Sequence, residues 1–309
     1  MQKIALVDIL APITQQEFLQ SYWPLNPLFI PAVKNKLPGI FDLGQLQNLE
    51  ALIAPRIAKV RACLPDFDDE YSSLHLDPKD ALKAYRNNMT LVFDSMQAQD
   101  SSIADTLNNI REDLGLVTGG AENNLCKARS IVYATPAGGR TRLHFDANAN
   151  FIIQLQGTKR WSLAPNNSVK NPTERFTSGA DEMPAALEKQ CHAPLLDELP
   201  EDSMNYLMEP GCVLFVPRGY WHATETDEDS LSLNFTFSQP TWADVFTKSL
   251  QELLLNSEEW RGLADGLESS DQFRKNLAIL KFETLVKLFA KELPDITGSQ
   301  LLTESGLLK

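Results

Sequence analysis

The chain has 309 residues, 43% hydrophobic and 22% charged, an ordinary globular mixture with room for one large domain and an appendage, or two modest domains. A formal net charge of −13 and an isoelectric point near 4.8 argue against a broad nucleic-acid footprint or attachment to an anionic membrane surface. No apolar run approaches the roughly 20 residues of a membrane-spanning helix, and Asp8 stands too early for a secretory signal.

In chain order, Thr14-Gln15-Gln16-Glu17 has the spacing of a capping box, and Phe18, Leu19 and Tyr22 follow on one helical face. Pro24 and Pro27 end that helix, and Leu28-Phe29-Ile30 reads as a short strand. Leu43 to Leu52 predicts a second helix, Lys79 to Asn87 a third, and Thr90 to Asp94 a buried strand. Residues 97–124 read as helix and loop, ending in the turn-rich Gly119 to Asn124.

From about residue 128 the texture changes to short strands separated by turn signals. Ser130 to Ala134 is the first strand and Asn150 to Gln156 the next, with Gly157-Thr158 turning into Lys159 to Leu163. A polar, proline-punctuated insertion runs from 165 to 204 and is expected to loop outside the strands. Strands resume at Tyr206 to Met208 and at Val213 to Val216, and Ser230 to Phe237 alternates polar and apolar residues. Antiparallel strands of this length suit a small barrel with a filled interior and an open mouth. After Pro240 the spacing of Trp242, Val245, Phe246, Leu250 and Leu254 is helical, as is that of Phe273, Leu277, Leu280, Leu288 and Phe289. The division this implies is 1–240, with a barrel core at about 128–240, followed by a helical segment at 241–309. Those helices either cap the barrel's core or form a dimer interface.

The four cysteines, Cys63, Cys126, Cys191 and Cys212, are far apart with no CxxC pair, which fits a reducing compartment and a cytoplasmic location. Of the four histidines, His75 and His192 lie in polar segments and are read as surface residues. His144-Phe145-Asp146 is different. Two positions apart on an extended strand, an imidazole and a carboxylate project from the same face. His222, after Val213 to Pro217, can bring a third ligand from another strand. Two histidines and one carboxylate on one face of an octahedral ion leave the opposite face open, as in the triad of non-haem Fe(II) oxygenases.

With these strands in place, His144 to Asp146, Asn150 to Trp161, Gly211 to His222 and Asn234-Phe235 resemble the JmjC-type, cupin-fold oxygenases. Phe18 to Ile30 also resembles the opening helix and strand of that family. Close similarity covers roughly residues 14–35 and 128–240, and the segment His144 to Trp161 looks most like the asparaginyl hydroxylase acting on hypoxia-inducible factor and the related bacterial ribosomal-protein hydroxylases.

The resemblance implies a mainly β fold with helical additions: a double-stranded β-helix (jelly-roll or cupin) barrel with N-terminal helices and a C-terminal helical segment. It implies a dioxygenase using Fe(II) and 2-oxoglutarate, with His144, Asp146 and His222 as metal ligands. It further implies Lys159 and Thr141 at the cosubstrate's distal carboxylate, and Asn150 and Asn234 near its metal-bound end. A protein or peptide side chain is the expected substrate and a small molecule the second. The acidic balance disfavours nucleic acid. Two other classes compete, a metallocupin working without 2-oxoglutarate and a non-catalytic binding cupin. Lys159 speaks against the first and the complete triad against the second.

Overall fold

A computed structural model describes residues 4–33, 37–54, 58–64, 73–116 and 125–308. Gly119 to Asn124 therefore lie outside the described residues. The described chain contains β1 (Leu28–Ile30), β2 (Val60–Cys63), β3 (Ser73–Leu76), β4 (Thr90–Phe93), β5 (Lys127–Thr135), β6 (Arg140–Phe145) and β7 (Ala149–Gln156). It continues with β8 (Lys159–Ala164), β9 (Phe176–Thr177), β10 (Met204–Met208), β11 (Val213–Val216), β12 (Trp221–Glu225) and β13 (Ser230–Ser238). Two antiparallel sheets result. One has eight strands in the order β1-β11-β7-β13-β5-β4-β2-β3, and the other has five in the order β10-β8-β12-β6-β9.

Period-two alternation sorts the side chains into layers. On β7, Phe151, Ile153 and Leu155 join Phe215, Leu233, Phe235 and Phe237 on the outer face of the large sheet, where the N-terminal helices pack. Helix Gln15–Ser21, capped by Thr14 Oγ1 accepting from the Glu17 amide at 3.1 Å, presses Phe18 there. Phe18 meets Phe215 edge-on at 5.1 Å and Phe151 at 5.7 Å. The alternate residues face the space between the sheets, where Ile152, Trp161, Leu163, Met208, Leu214 and Val216 form a second core. A third lies outside the small sheet and joins Leu143, Phe145, Ala164 and Trp221 to the insertion residues Val169, Phe176 and Leu187.

The structure departs from the sequence reading in four places. Leu43 to Leu52 is not one helix but a turn of 3-10 helix at Gly44–Leu46 and a helix at Leu49–Ile53. Asn48 breaks it, because its side chain accepts from the Ala51 amide at 2.8 Å and so starts a new helix. The insertion is not all loop, since it carries β9 and a helix at Ala185–Gln190 whose Leu187 is fully buried. His144 lies within β6 and His222 within β12, two strands whose bounds the sequence reading did not give. Finally, β2 and β3 and the helix Leu6–Leu10 carry too few residues for their periodicity to show.

The chain forms two compact units, 1–116 with 127–238, and a second that contains 239–308. The second unit holds helices Trp242–Leu254, Gln272–Glu292 and Gly298–Glu304. The first and last of these pack together, with Ser249 Oγ and Ser305 Oγ 2.9 Å apart. The long middle helix buries none of its residues. Among the described residues no helix is long and apolar enough to cross a membrane.

Candidate metal and cosubstrate site

The site forms where β6 and β12 pair inside the first unit. His222 is directly opposite His144, and Thr224 is opposite Thr141. Between these pairs two residues of β6, Arg142 and Leu143, stand opposite one of β12, Ala223, an irregularity that keeps Thr141 and His144 on one face despite their odd spacing. Asp146 follows the end of β6, and its backbone carbonyl accepts from the Gly219 amide at 2.8 Å. Gly219 has φ +87°, and a Cβ there would stand 2.8 Å from Pro172 Cδ, so the turn into β12 needs glycine.

The ligand atoms of His144, Asp146 and His222 all lie within 4.8 Å of one another. His222 Nε2 is 3.8 Å from Asp146 Oδ2, and the two imidazole centroids are 4.1 Å apart. Each Nδ1 meets a backbone carbonyl two residues upstream, Arg142 O at 2.7 Å and Tyr220 O at 2.9 Å. Those bonds place the hydrogen on Nδ1 and leave the Nε2 lone pairs free to ligate.

Burial, reinforced by His222 and Arg175, holds His144 well below the ordinary imidazole range and hence neutral. Burial works to raise Asp146, but His144, Arg175 and His222 overcome it and hold the carboxylate below its usual value. Two imidazole nitrogens and one carboxylate oxygen are the donor set of an Fe(II), Mn(II) or Zn(II) site. Asn150 Nδ2 reaches Asp146 Oδ2 at 3.4 Å, while its Oδ1 accepts from Thr236 Oγ1 at 2.7 Å. Arg175 Nε approaches Asp146 Oδ1 at 3.8 Å.

Lys159 opens β8 from the tight turn after β7 and points between the sheets, 5% exposed. Its Nζ donates to Thr135 Oγ1 at 2.8 Å, and no carboxylate among the described residues pairs with it. Burial pushes its pKa down to about 8. A buried ammonium without an anion is costly, and the barrel supplies none of its own. The inner wall also holds a buried Asn234 Oδ1 and a buried Trp161 Nε1 without hydrogen-bond partners among the described residues. These groups fit a small acid with oxygen atoms along its length.

Of the residues singled out from sequence, His144, Asp146, His222 and Asn150 come together directly, and Lys159 and Asn234 line the same interior. Thr141 is exposed and shares its hydroxyl with Thr224 at 2.8 Å; Lys159 bonds Thr135 instead. Thr135 escaped the sequence reading although it lies two positions from Tyr133 on an alternating strand, which was the available signal. Arg175 gave none, because the insertion has no periodicity. His75 and His192 are exposed, as read.

Fold and site together define a cupin-type barrel with a candidate metal-binding triad, His144, Asp146 and His222, and a buried Lys159 in the same interior. A family model described as JmjC domain matches residues 118–245. The chain is 30% identical over 302 residues to YxbC of Bacillus subtilis, an alignment covering 96% of this chain and 89% of that protein. It is 27% identical over 265 residues to Ribosomal oxygenase 2 of Rattus norvegicus, covering 81% of this chain and 50% of the relative, so it spans about half that protein's length. The solved structure of E. coli YcfD shares the fold, with a TM-score of 0.50 at 16% identity, covering 87% of this chain and 67% of that one.

The chain belongs to the JmjC-domain family. It is an oxygenase of that family.

Proposed function

We propose that this enzyme hydroxylates an amino-acid side chain of a protein, with His144, Asp146 and His222 holding Fe(II) and Lys159 holding the distal carboxylate of 2-oxoglutarate. Bound together with dioxygen, iron and 2-oxoglutarate supply the oxidation, yielding succinate and carbon dioxide and placing one oxygen atom in a substrate C–H bond. The observation that carries this reading is the buried, anion-less Lys159 in the same barrel as the triad.

The rest is the work of the chain's own groups. The Nδ1–carbonyl bonds fix the imidazole planes, and Asn150 steadies the ligating carboxylate. Thr135 holds Lys159 in place, and the indole of Trp161 walls off water by stacking on His222 at 5.6 Å. Asn234, with its unsatisfied oxygen, lines the same cavity.

The relatives named ribosomal oxygenases support a ribosomal protein as the substrate class, with asparagine the target suggested by the resemblance of His144 to Trp161 to asparaginyl hydroxylases. Four free thiols support a cytoplasmic location. The division at about residue 240 assigns catalysis to the barrel and, through the uncovered helix Gln272–Glu292, pairing with a second copy to the C-terminal segment.

The test is mass spectrometry of ribosomal and total protein from strains with the gene, without it, and with Asp146→Ala. A peptide heavier by one oxygen atom only in the first strain is expected, and its fragment ions name the residue. Peptide masses identical in all three strains would remove the protein-substrate reading.

A further inference from the structure

The register of the small sheet arranges its inward residues in rows. His144, His222 and Leu163 share one row, and Thr141, Thr224 and Trp161 share the next. Lys159 begins a third row on β8, two residues before Trp161 and on the same face. Successive rows on a strand are roughly 6.6 Å apart. Trp161 therefore stands between the metal ligands and the lysine, along the line that a chelating acid with a distal carboxylate must follow.

Trp161 is 8% exposed, and its ring lies nearly parallel to that of His222 at an interplanar angle of 22°. Its indole N–H is fully buried and meets no acceptor among the described residues. A buried indole N–H nearly always has a partner, because leaving it dry sacrifices the bond it would make to water. Hydrophobic packing accounts for the ring: Trp161 belongs to the inner core with Leu163, Met208 and Leu214. It does not account for the donor. Phenylalanine would fill that core without burying a polar atom.

We propose that the indole N–H of Trp161 is a binding donor to the distal carboxylate of 2-oxoglutarate, acting beside Lys159. The inference rests on the assignment of 2-oxoglutarate to this cavity. Lys159 supplies the charge, as an ammonium that accepts many directions of approach. Trp161 supplies direction, because an indole fixed by stacking offers a single N–H along a single line. The pair thereby sets the distance at which a second carboxylate must follow the metal-chelating end, and so selects the length of the acid.

The experiment uses the full chain loaded with Zn(II), which holds the geometry without redox turnover. Calorimetric titration with 2-oxoglutarate compares wild type with Trp161→Phe, which keeps a ring for the stack and removes the donor. Loss of a hydrogen bond to a charged group predicts affinity weaker by roughly tenfold or more, with Zn(II) affinity changed by less than about twofold, because phenylalanine keeps a ring against His222. In parallel, the assigned Trp161 indole resonance of the 15N-labelled wild type should move downfield as 2-oxoglutarate saturates the site. That measurement stands even if the variant does not fold.

Unchanged 2-oxoglutarate affinity in Trp161→Phe, or an unmoved indole resonance at saturation, overturns the proposal and leaves the N–H to an ordered water. Parallel loss of Zn(II) and 2-oxoglutarate affinity also overturns it, in favour of a purely structural indole. Wild-type protein that binds no 2-oxoglutarate fails earlier and differently, since it removes the cosubstrate assignment itself.

Discussion

Lys159 sits in an environment that disfavours its own charge, which makes its chemistry dependent on pH. Burial brings it from 10.5 to about 8. Below about 8 it is protonated in both the folded and the unfolded chain. Between about 8 and 10.5 the unfolded chain keeps a proton that the folded, ligand-free chain has released, so its stability rises with pH across that window. Affinity for 2-oxoglutarate should run the other way, falling as pH climbs past about 8 because binding must return the proton. Calorimetry at pH above that value in two buffers of different ionisation enthalpy should show proton uptake. Lys159→Met should abolish the uptake and weaken binding by roughly tenfold or more. A pH-independent affinity without uptake would disprove the role. His144, Asp146 and Lys159 were legible in sequence because their spacing follows the strand period or a turn. Thr135 and Arg175 were not, because what places them is a partner strand and an aperiodic insertion.

The turn between β7 and β8 aims Lys159, and its geometry leaves little freedom. Gly157 has φ +59°, and a Cβ there would lie 2.0 Å from the carbonyl oxygen of Asp229. Thr158 is held on the same side by Glu228, which accepts from its amide at 3.0 Å and its hydroxyl at 2.8 Å. Gly157→Ala therefore combines left-handed strain with a backbone clash, and should cost about 2 kcal/mol or more. The thermal midpoint should drop by about 4 °C or more, and 2-oxoglutarate affinity should fall with it. An unchanged melting curve would show that the turn relaxes freely. Strands with alternating or continuous apolar runs, such as β7, β11 and β13, were readable from sequence. Strands β6 and β12 were not: Arg140 to Phe145 and Trp221 to Glu225 put polar functional residues on the inward face, where the pattern expects apolar ones.

At the scale of the molecule, the helix Gln272–Glu292 stands out because none of its residues is buried. Phe273, Leu277 and Leu280 are 69%, 50% and 58% exposed, at spacings that bring them to one side. Water gives a 21-residue helix little reason to persist with such a face open. The expected outcome is a dimer by light scattering, converted to a monomer by Leu277→Gln with Leu280→Gln while 2-oxoglutarate binding persists. A monomeric wild type would end that idea.

The insertion is the other large-scale feature. Through β9 it hydrogen-bonds the strand that carries His144, pairing Thr177 with His144 and Phe176 with Phe145, and it buries Leu187 against the same sheet. The segment that brings Arg175 to within 3.8 Å of Asp146 is thus also the outer rail of the site. A loop exchanged with a relative's would arrive with a different rail, so substrate preference and the setting of His144 change together. Evolution within this architecture has to retune both at once, and attempts at redirecting the enzyme by loop grafting inherit the same constraint.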